Sequence, residues 1–151
     1  LLYQDTAPSG SFVTLFLLEA DSTAGSLEWV RAGHDPAWLY CAATDAVLDL
    51  GGPGMALGVD DACSYRSGSR PGLSADDALL IGTDGIWETQ NANSEKFGKE
   101  RIGKILRSHH RQSAGGILQA VLNALEAFRG KAQQEDDITL LVLKSMGTSQ
   151  S

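Results

Sequence analysis

The chain has 151 residues, 42% of them hydrophobic, and a formal net charge of -7 at pH 7. This length suits one domain with a single core, and the acidic balance argues against nucleic-acid binding, which needs a basic surface. No apolar run approaches the roughly 20 residues of a membrane span, and the N-terminus has no signal-peptide pattern. We therefore predict a soluble, cytoplasmic protein that binds neither nucleic acid nor membrane.

The first half of the chain is predicted to consist of β-strands joined by turns. The nearly unbroken apolar run Phe12–Glu19 predicts a strand that is buried on both faces and lies centrally in its sheet. The turn Asp21–Gly25 and the alternating segment Leu27–Ala32 complete a hairpin with this strand. Further strands are expected at Ala37–Cys41, Asp45–Leu50, Ala62–Arg70 and Asp76–Thr83.

After Glu88 the hydrophobic period changes from that of a strand to that of a helix. Apolar residues on one face predict a helix over residues 98–110, and Ser113 and Gly130 are expected to cap a second helix. Polar residues 131–135 lead to a final strand, and residues 145–151 are expected to be a disordered tail. This order of elements predicts the α+β class, with helices stacked on antiparallel sheet.

Two acidic segments stand where apolar runs end or begin. The run Leu79–Gly82 is closely followed by Asp84, and Gln134–Asp137 directly precedes the run that starts at Ile138. If the two runs are neighbouring antiparallel strands, Asp84 and Asp136 meet at one end of the sheet. Converging carboxylates repel unless a cation lies between them, and oxygen ligands suit Mg²⁺ or Mn²⁺. Taken singly, each acid could equally cap a turn or lie in solvent.

Six segments together carry a family resemblance over residues 2–144. In order and spacing they resemble the SpoIIE/RsbU-like bacterial branch of the metal-dependent protein phosphatases (PPM, or protein phosphatase 2C). The segments are Phe12–Phe16, Arg31–Pro36, Ala56–Gly58, Gly82–Glu88, Phe97–Arg101 and Asp136–Val142. The resemblance implies an α-β-β-α layered sandwich that is truncated at its N-terminus. Residues 1–144 would be roughly the C-terminal two thirds of such a domain.

The resemblance also implies an activity, which is hydrolysis of phosphoserine or phosphothreonine on a protein with two Mn²⁺ or Mg²⁺ ions. A metal-bound water is the implied nucleophile, so no side chain is expected to be catalytic by itself. Carried over by motif, Asp84 and Asp136 are metal ligands and Asp137 is an auxiliary ligand. The implied substrate is a phosphorylated anti-sigma factor antagonist in a partner-switching stress or sporulation pathway.

His34 lies in a segment that matches the family's Ala-Gly-His-x-Pro loop. One interpretation is that it contacts substrate or a metal-bound water. We favour a histidine that hydrogen-bonds the backbone and fixes the loop, since this is the more common role of a lone histidine.

The family's first metal motif, an Asp-Gly pair after an N-terminal strand, has no counterpart ahead of these segments. We therefore predict that this chain alone cannot assemble a two-metal centre and is inactive. An unpaired sheet edge and an uncovered apolar face would also favour self-association.

Two other interpretations stay open. A non-catalytic module could keep the phosphatase fold to bind a partner protein through the basic segment from Lys96 to Arg111, although that segment also suits a solvated helix face. An Asp-Gly metal motif upstream of Leu1 would favour the enzyme over this module. The second interpretation is a Mg²⁺-dependent phosphoesterase that acts on small molecules, and only Asp84 and Asp136 support it.

Overall fold

A computed structural model describes residues 10–145, and the predictions made for residues 1–9 and for the tail after Ser145 lie outside them. Within residues 10–145 the chain forms seven strands and three helices. The contacts divide the chain into two compact units. The first contains residues up to 37 and residues 49–73, and the second contains residues 38–48 and those from 74 onward. The elements are β1 (Leu15–Asp21), β2 (Ser26–Ala32), β3 (Ala37–Cys41), β4 (Ala46–Leu50), β5 (Ser67–Pro71), β6 (Ala78–Gly82), α1 (Gly85–Glu88), α2 (Lys99–His109), α3 (Ala114–Arg129) and β7 (Leu140–Lys144).

The first unit is built on an antiparallel sheet with the strand order β1-β2-β5. The strands β1 and β2 form the predicted hairpin, in which Asp21 lies opposite Ser26. Asp21 stabilises the turn, because its Oδ1 accepts the backbone N–H groups of Thr23 and Ala24 at 2.7 and 2.9 Å. The strand β5 begins within the predicted segment 62–70 and pairs with β2.

The prediction that the first apolar run is a central strand buried on both faces is wrong. The strand β1 starts at Leu15 and lies at the edge of its sheet, and no residue along it is fully buried. Phe12 and Leu17 are 62% and 58% exposed. Within residues 10–145 no further strand pairs with the outer edge of β1, and the side chains of β1 are exposed or only partly buried.

The second unit is centred on an antiparallel sheet with the strand order β4-β3-β6-β7. The middle strands β3 and β6 are buried along almost their whole length, since each lies between two strands and the helices pack against one face of the sheet. Side chains from these two strands pack with the helices into one core. The buried core residues are Trp38, Tyr40, Ala78, Leu80, Ile86, Trp87, Phe97, Ile102, Leu106, Ile117, Val121 and Leu125. Two antiparallel sheets with helices confirm the α+β class.

The two predicted helices are confirmed with nearly the predicted ends. The helix α2 follows Gly98, and α3 is capped by Ser113, whose Oγ accepts the N–H of Gly116 at 3.1 Å. Gly130 ends α3 with a φ of 59°, a left-handed conformation that suits glycine. The single turn α1 was not predicted. No helix of residues 10–145 is long and apolar enough to cross a membrane.

Asp45 joins the turn before β4 to the helix α2. Its Oδ1 accepts hydrogen bonds from Arg107 Nε at 2.7 Å and from the Tyr40 hydroxyl at 3.0 Å. The hydrogen bond from Arg107 is the largest cause that holds the pKa of Asp45 below its ordinary value, and the hydrogen bond from Tyr40 is the second. Asp45 also has a positive φ of 51°, which aspartate and asparagine tolerate better than most residues.

We predict that Asp45→Asn lowers the free energy of unfolding at neutral pH but not in acid. Because the pKa of Asp45 is lower in the folded than in the unfolded state, its stabilisation is present above the unfolded-state pKa. That stabilisation is lost as the pH falls through the folded-state pKa. Urea unfolding of both proteins from neutral to acidic pH measures this, and the two stabilities should converge in acid. A difference that does not change with pH would contradict the assignment.

Candidate metal site

The strands β6 and β7 bring the two acidic segments to the same end of their sheet. They are antiparallel neighbours, with Gly82 opposite Leu140. Asp84 follows the end of β6 and Asp136 precedes the start of β7, so both lie at this end. The sequence placed the two acids at one end of the sheet only on the condition that their strands are antiparallel neighbours, and the structure meets that condition. The side chains of both residues are exposed.

Thr83 joins the two acidic segments directly. Its N–H donates to the carbonyl of Thr139 at 3.1 Å, and its hydroxyl oxygen accepts the N–H of Thr139 at 3.0 Å. The same hydroxyl donates to the carbonyl of Asp137 at 3.1 Å. One side chain thus fixes the backbone on both sides of Ile138, immediately beside Asp84.

Gly85 gives the acidic segment the space to approach. A Cβ atom at this position would lie 2.5 Å from the carbonyl oxygen of Asp137, which is far inside van der Waals contact. Gly85 also opens α1, in which the N–H of Glu88 donates to the carbonyl of Asp84 at 2.9 Å. The glycine after Asp84 is therefore required by close packing of two backbones.

Asp84 and Asp136 differ in what their carboxylates bind. Asp84 stands at the N-cap position of α1 but makes no side-chain capping hydrogen bond, so helix capping does not explain it. Asp136 Oδ1 accepts the N–H of Asp137 at 2.8 Å, which uses one of its two oxygens. Asp137 is held through its backbone, by this bond and by the bond from Thr83.

Gln134 fixes the acidic segment from its other side. Its Oε1 accepts a hydrogen bond from Arg129 Nη1 at 2.9 Å, and its Nε2 donates to the carbonyl of Asp136 at 2.9 Å. Since Arg129 is the last residue of α3, this amide connects the helix end to the segment that carries Asp136. The roles of Thr83 and Gln134 were not predicted from the sequence. A threonine between a buried strand and an acid was a usable signal for Thr83, but no local pattern pairs Gln134 with Arg129.

The carboxylates suit a hard cation without forming a complete site. Mg²⁺ and Mn²⁺ are commonly held by one or two carboxylates together with waters and phosphate oxygens. Asp84 and Asp136 supply such a pair at one end of the sheet. Within residues 10–145 no three Asp, Glu, His or Cys side chains are grouped closely enough to hold a metal.

A polar cleft of about 250 Å³ adjoins these residues. Gly85 and Asp136 form part of its wall, and Glu88, Lys96 and Glu135 also line it. Lys96 Nζ and Glu88 Oε1 form an ion pair at 2.7 Å within this wall. The cleft therefore offers charged groups and space for a bound segment directly beside Asp136.

His34 belongs to the first unit, where it holds its own loop. Its ring donates through Nδ1 to the carbonyl of Asp35 at 2.8 Å, and its own carbonyl accepts a hydrogen bond from Arg31 Nε. Arg31 also donates to the carbonyl of Gly52 at 2.9 Å. The backbone hydrogen bond favoured by the sequence analysis is thus present.

Comparison with known proteins identifies one family and several structural relatives. The family model described as Stage II sporulation protein E (SpoIIE) matches residues 1–145. Protein IcfG of Synechocystis is 28% identical over 135 residues, which are 87% of this chain and 20% of that protein. The SiaA PP2C domain of Pseudomonas aeruginosa is 25% identical with a TM-score of 0.76, covering 87% of this chain and 51% of that one. The PP2C phosphatase domain of SpoIIE from Bacillus subtilis is 20% identical with a TM-score of 0.70, covering 87% and 37%.

This chain thus spans about half, or less, of the length of these relatives. The similarity to the SpoIIE phosphatase domain supports the fold, with its two antiparallel sheets and helices.

We predict that Gly85→Ala destabilises the protein, because the added methyl group would collide with the carbonyl of Asp137. Such overpacking costs about 1–3 kcal/mol. Gly103→Ala in α2 is the matched control, since its Cβ would lie 3.8 Å from its nearest neighbour, Val47 Cγ2. That change should stabilise the helix by about 0.5–1 kcal/mol. Urea unfolding measures both free energies, and similar values for the two variants would show that Gly85 is not needed for close packing.

Proposed function

This chain belongs to the SpoIIE family of PP2C-type phosphatase domains, and from this premise we propose that it serves metal-dependent hydrolysis of phosphoserine or phosphothreonine on a protein. The observation that carries the proposal is the β6–β7 pairing, which places Asp84 and Asp136 at one end of the sheet. Phosphoryl hydrolysis needs cations at the developing negative charge, and paired carboxylates can hold them. The family membership selects this reaction among those that such a site could perform.

We propose Asp84 and Asp136 as ligands of Mn²⁺ or Mg²⁺, with Asp137 as an auxiliary ligand. The lack of a capping bond on Asp84 supports this, because its carboxylate has no structural task at α1. When bound, such ions supply an activated water and offset the charge of the phosphoryl oxygens. Thr83 and Gln134 would orient the two ligands through the backbone bonds described above.

Two structurally similar proteins are associated with divalent metals. The phosphatase domain of SpoIIE from Bacillus subtilis was studied after presoaking with Mn, and RsbX was solved in complex with magnesium. These observations belong to those proteins, and they support the choice of Mn²⁺ or Mg²⁺ for this chain.

We propose that the substrate is a protein, and specifically a phosphorylated anti-sigma factor antagonist. The polar cleft beside Asp136 has space for residues that flank a phosphoserine. The specific substrate rests on the SpoIIE/RsbU resemblance, and one structural relative, Rv1364c of Mycobacterium tuberculosis, has RsbU and RsbW domains. A cytoplasmic location and a role in stress or sporulation signalling are proposed on the same basis.

We also propose that these 151 residues are inactive alone. Asp84, Asp136 and Asp137 are fewer ligands than a two-metal centre needs, and the sequence lacks the first Asp-Gly motif of the family pattern. The ligand that the family's first motif would supply therefore has no candidate among the segments that carry the resemblance.

We predict weak Mn²⁺ binding and no phosphatase turnover for this chain. Titration with Mn²⁺, followed by the electron paramagnetic resonance signal of the free ion, measures the binding. Asp84→Asn and Asp136→Asn should each abolish it, because each removes one of the two principal ligand carboxylates and leaves only the other with the auxiliary Asp137. Asp21→Asn is the control, since it makes the same change in a turn of the first unit. Equal binding by all four proteins would contradict the ligand assignment.

The activity assay uses a phosphoserine peptide with Mn²⁺ and the same proteins. Robust metal-dependent hydrolysis by the wild type would contradict the proposed inactivity. A wild type that binds no Mn²⁺ at all would favour the non-catalytic interaction module.

We predict that the chain self-associates through the exposed apolar strand β1. Leu17→Lys should reduce the associated fraction, because a charge on an edge strand opposes pairing with another edge. Val59→Lys is the control, since Val59 is 49% exposed and lies outside the strands. Light scattering at high protein concentration measures the mass, and a monomeric wild type would contradict the prediction.

A further inference from the structure

The polar cleft beside Asp136 lies between two segments of the second unit. One wall comes from α1 and the residues that follow it, and the other comes from Gln133–Asp136. Gln90 Nε2 donates to Glu135 Oε2 at 3.3 Å, so the two walls are in contact. Three carboxylates line the cleft, and among the lining residues that the structure describes Lys96 is the one with a positive charge. A phosphoryl group that enters beside Asp136 would therefore meet Lys96 as its cationic side chain.

The backbone of Lys96 is held in place by its neighbours. Lys96 forms an antiparallel bridge with Gln90, the residue whose side chain reaches Glu135. The next residue, Phe97, is 1% exposed, and its N–H donates to the carbonyl of Thr89 at 2.8 Å. The base of the Lys96 side chain is thus fixed on the wall opposite the acidic segment.

The ammonium group of Lys96, by contrast, is accessible to solvent. Its Nζ forms an ion pair with Glu88 Oε1 at 2.7 Å, and the two side chains are 56% and 52% exposed. An ion pair this exposed contributes little to stability, because water screens it. A phosphoserine carries a charge of about -1.5 to -2 at pH 7 and three acceptor oxygens, so it competes well with one carboxylate for an ammonium group. Lys96 can therefore exchange Glu88 for a phosphate at little cost.

We propose that Lys96 binds the phosphoryl group of the substrate and releases Glu88 when it does so. This inference rests on the proposed function, which supplies the phosphorylated substrate and places its phosphoryl group beside Asp136. Lys96 offsets negative charge on the phosphoryl oxygens and favours the phosphorylated over the unphosphorylated protein. Glu88 holds the ammonium group at the cleft before substrate binds, and its carboxylate then competes with the phosphate.

Isothermal titration of the 151-residue protein with a peptide tests the proposal. The peptide carries the phosphonate analogue of phosphoserine, in which a CH₂ group replaces the ester oxygen, so hydrolysis cannot remove the ligand. The same peptide with serine is the matched probe. With Mg²⁺ we expect saturable binding of the phosphonate peptide and at least about tenfold weaker binding of the serine peptide. No binding of the phosphonate peptide at millimolar concentration, or equal affinity for both peptides, would overturn the proposal.

Two variants should have effects of opposite sign on the affinity for the phosphonate peptide. Lys96→Gln removes the positive charge and should weaken binding about tenfold, and Lys96→Arg should restore most of the affinity. Glu88→Gln removes the competing carboxylate and should strengthen binding, whereas the loss of a merely structural ion pair would weaken it. Lys104→Gln and Glu100→Gln make the same charge changes in a similar ion pair on α2, outside the cleft lining. Both should bind the peptide as the wild type does.

Titrations with Mg²⁺ and with EDTA separate this proposal from the proposed function. A loss of affinity in Lys96→Gln under both conditions supports the Lys96 contact even if the protein binds no metal. Affinity that depends on Mg²⁺ but not on Lys96 would support the metal site and overturn the contact. Weaker binding by Glu88→Gln, or losses in the control variants equal to that of Lys96→Gln, would also overturn it. Circular dichroism checks the fold of each variant, and all the altered side chains are exposed.

Discussion

The antiparallel pairing of β6 with β7 is the constraint on which the candidate site depends. Because Gly82 lies opposite Leu140, the end of one strand and the approach to the other meet at the same end of the sheet. Thr83 then fixes the acidic segment through its backbone, and Gly85 leaves the space for it. Main-chain geometry thus positions both exposed carboxylates, and the carboxylate of Asp136 is further held by the N–H of Asp137.

The turn that carries Asp84 is anchored on both sides by the core. The strand β6 before it is almost wholly buried, and α1 after it buries Ile86 and Trp87. The ring of Trp87 lies edge-on to that of Trp38 at 4.9 Å, and the Lys99 ammonium group is 4.8 Å from the centre of the Trp87 ring. The backbone of Asp84 is therefore held between two buried anchors, and this limits the positions that its exposed carboxylate can reach.

The C-terminal end of α3 is connected to the acidic segment by hydrogen bonds through one amide side chain. Arg129 Nη1 donates to Gln134 Oε1, and Gln134 Nε2 in turn donates to the carbonyl of Asp136. The end of the helix thus positions the backbone of one of the two candidate carboxylates.

The sequence by itself determined the features that depend on local patterns: the types of most elements, the caps of α3 and the family. These could be predicted because hydrophobic period, capping residues and the order of short motifs are encoded within a few residues. The exposure of β1 could not be predicted from the sequence, because an apolar run is buried only where other parts of the chain cover it. Only the tertiary structure decided that Thr83 holds Asp137, 54 residues away, since such contacts depend on strand register and side-chain direction.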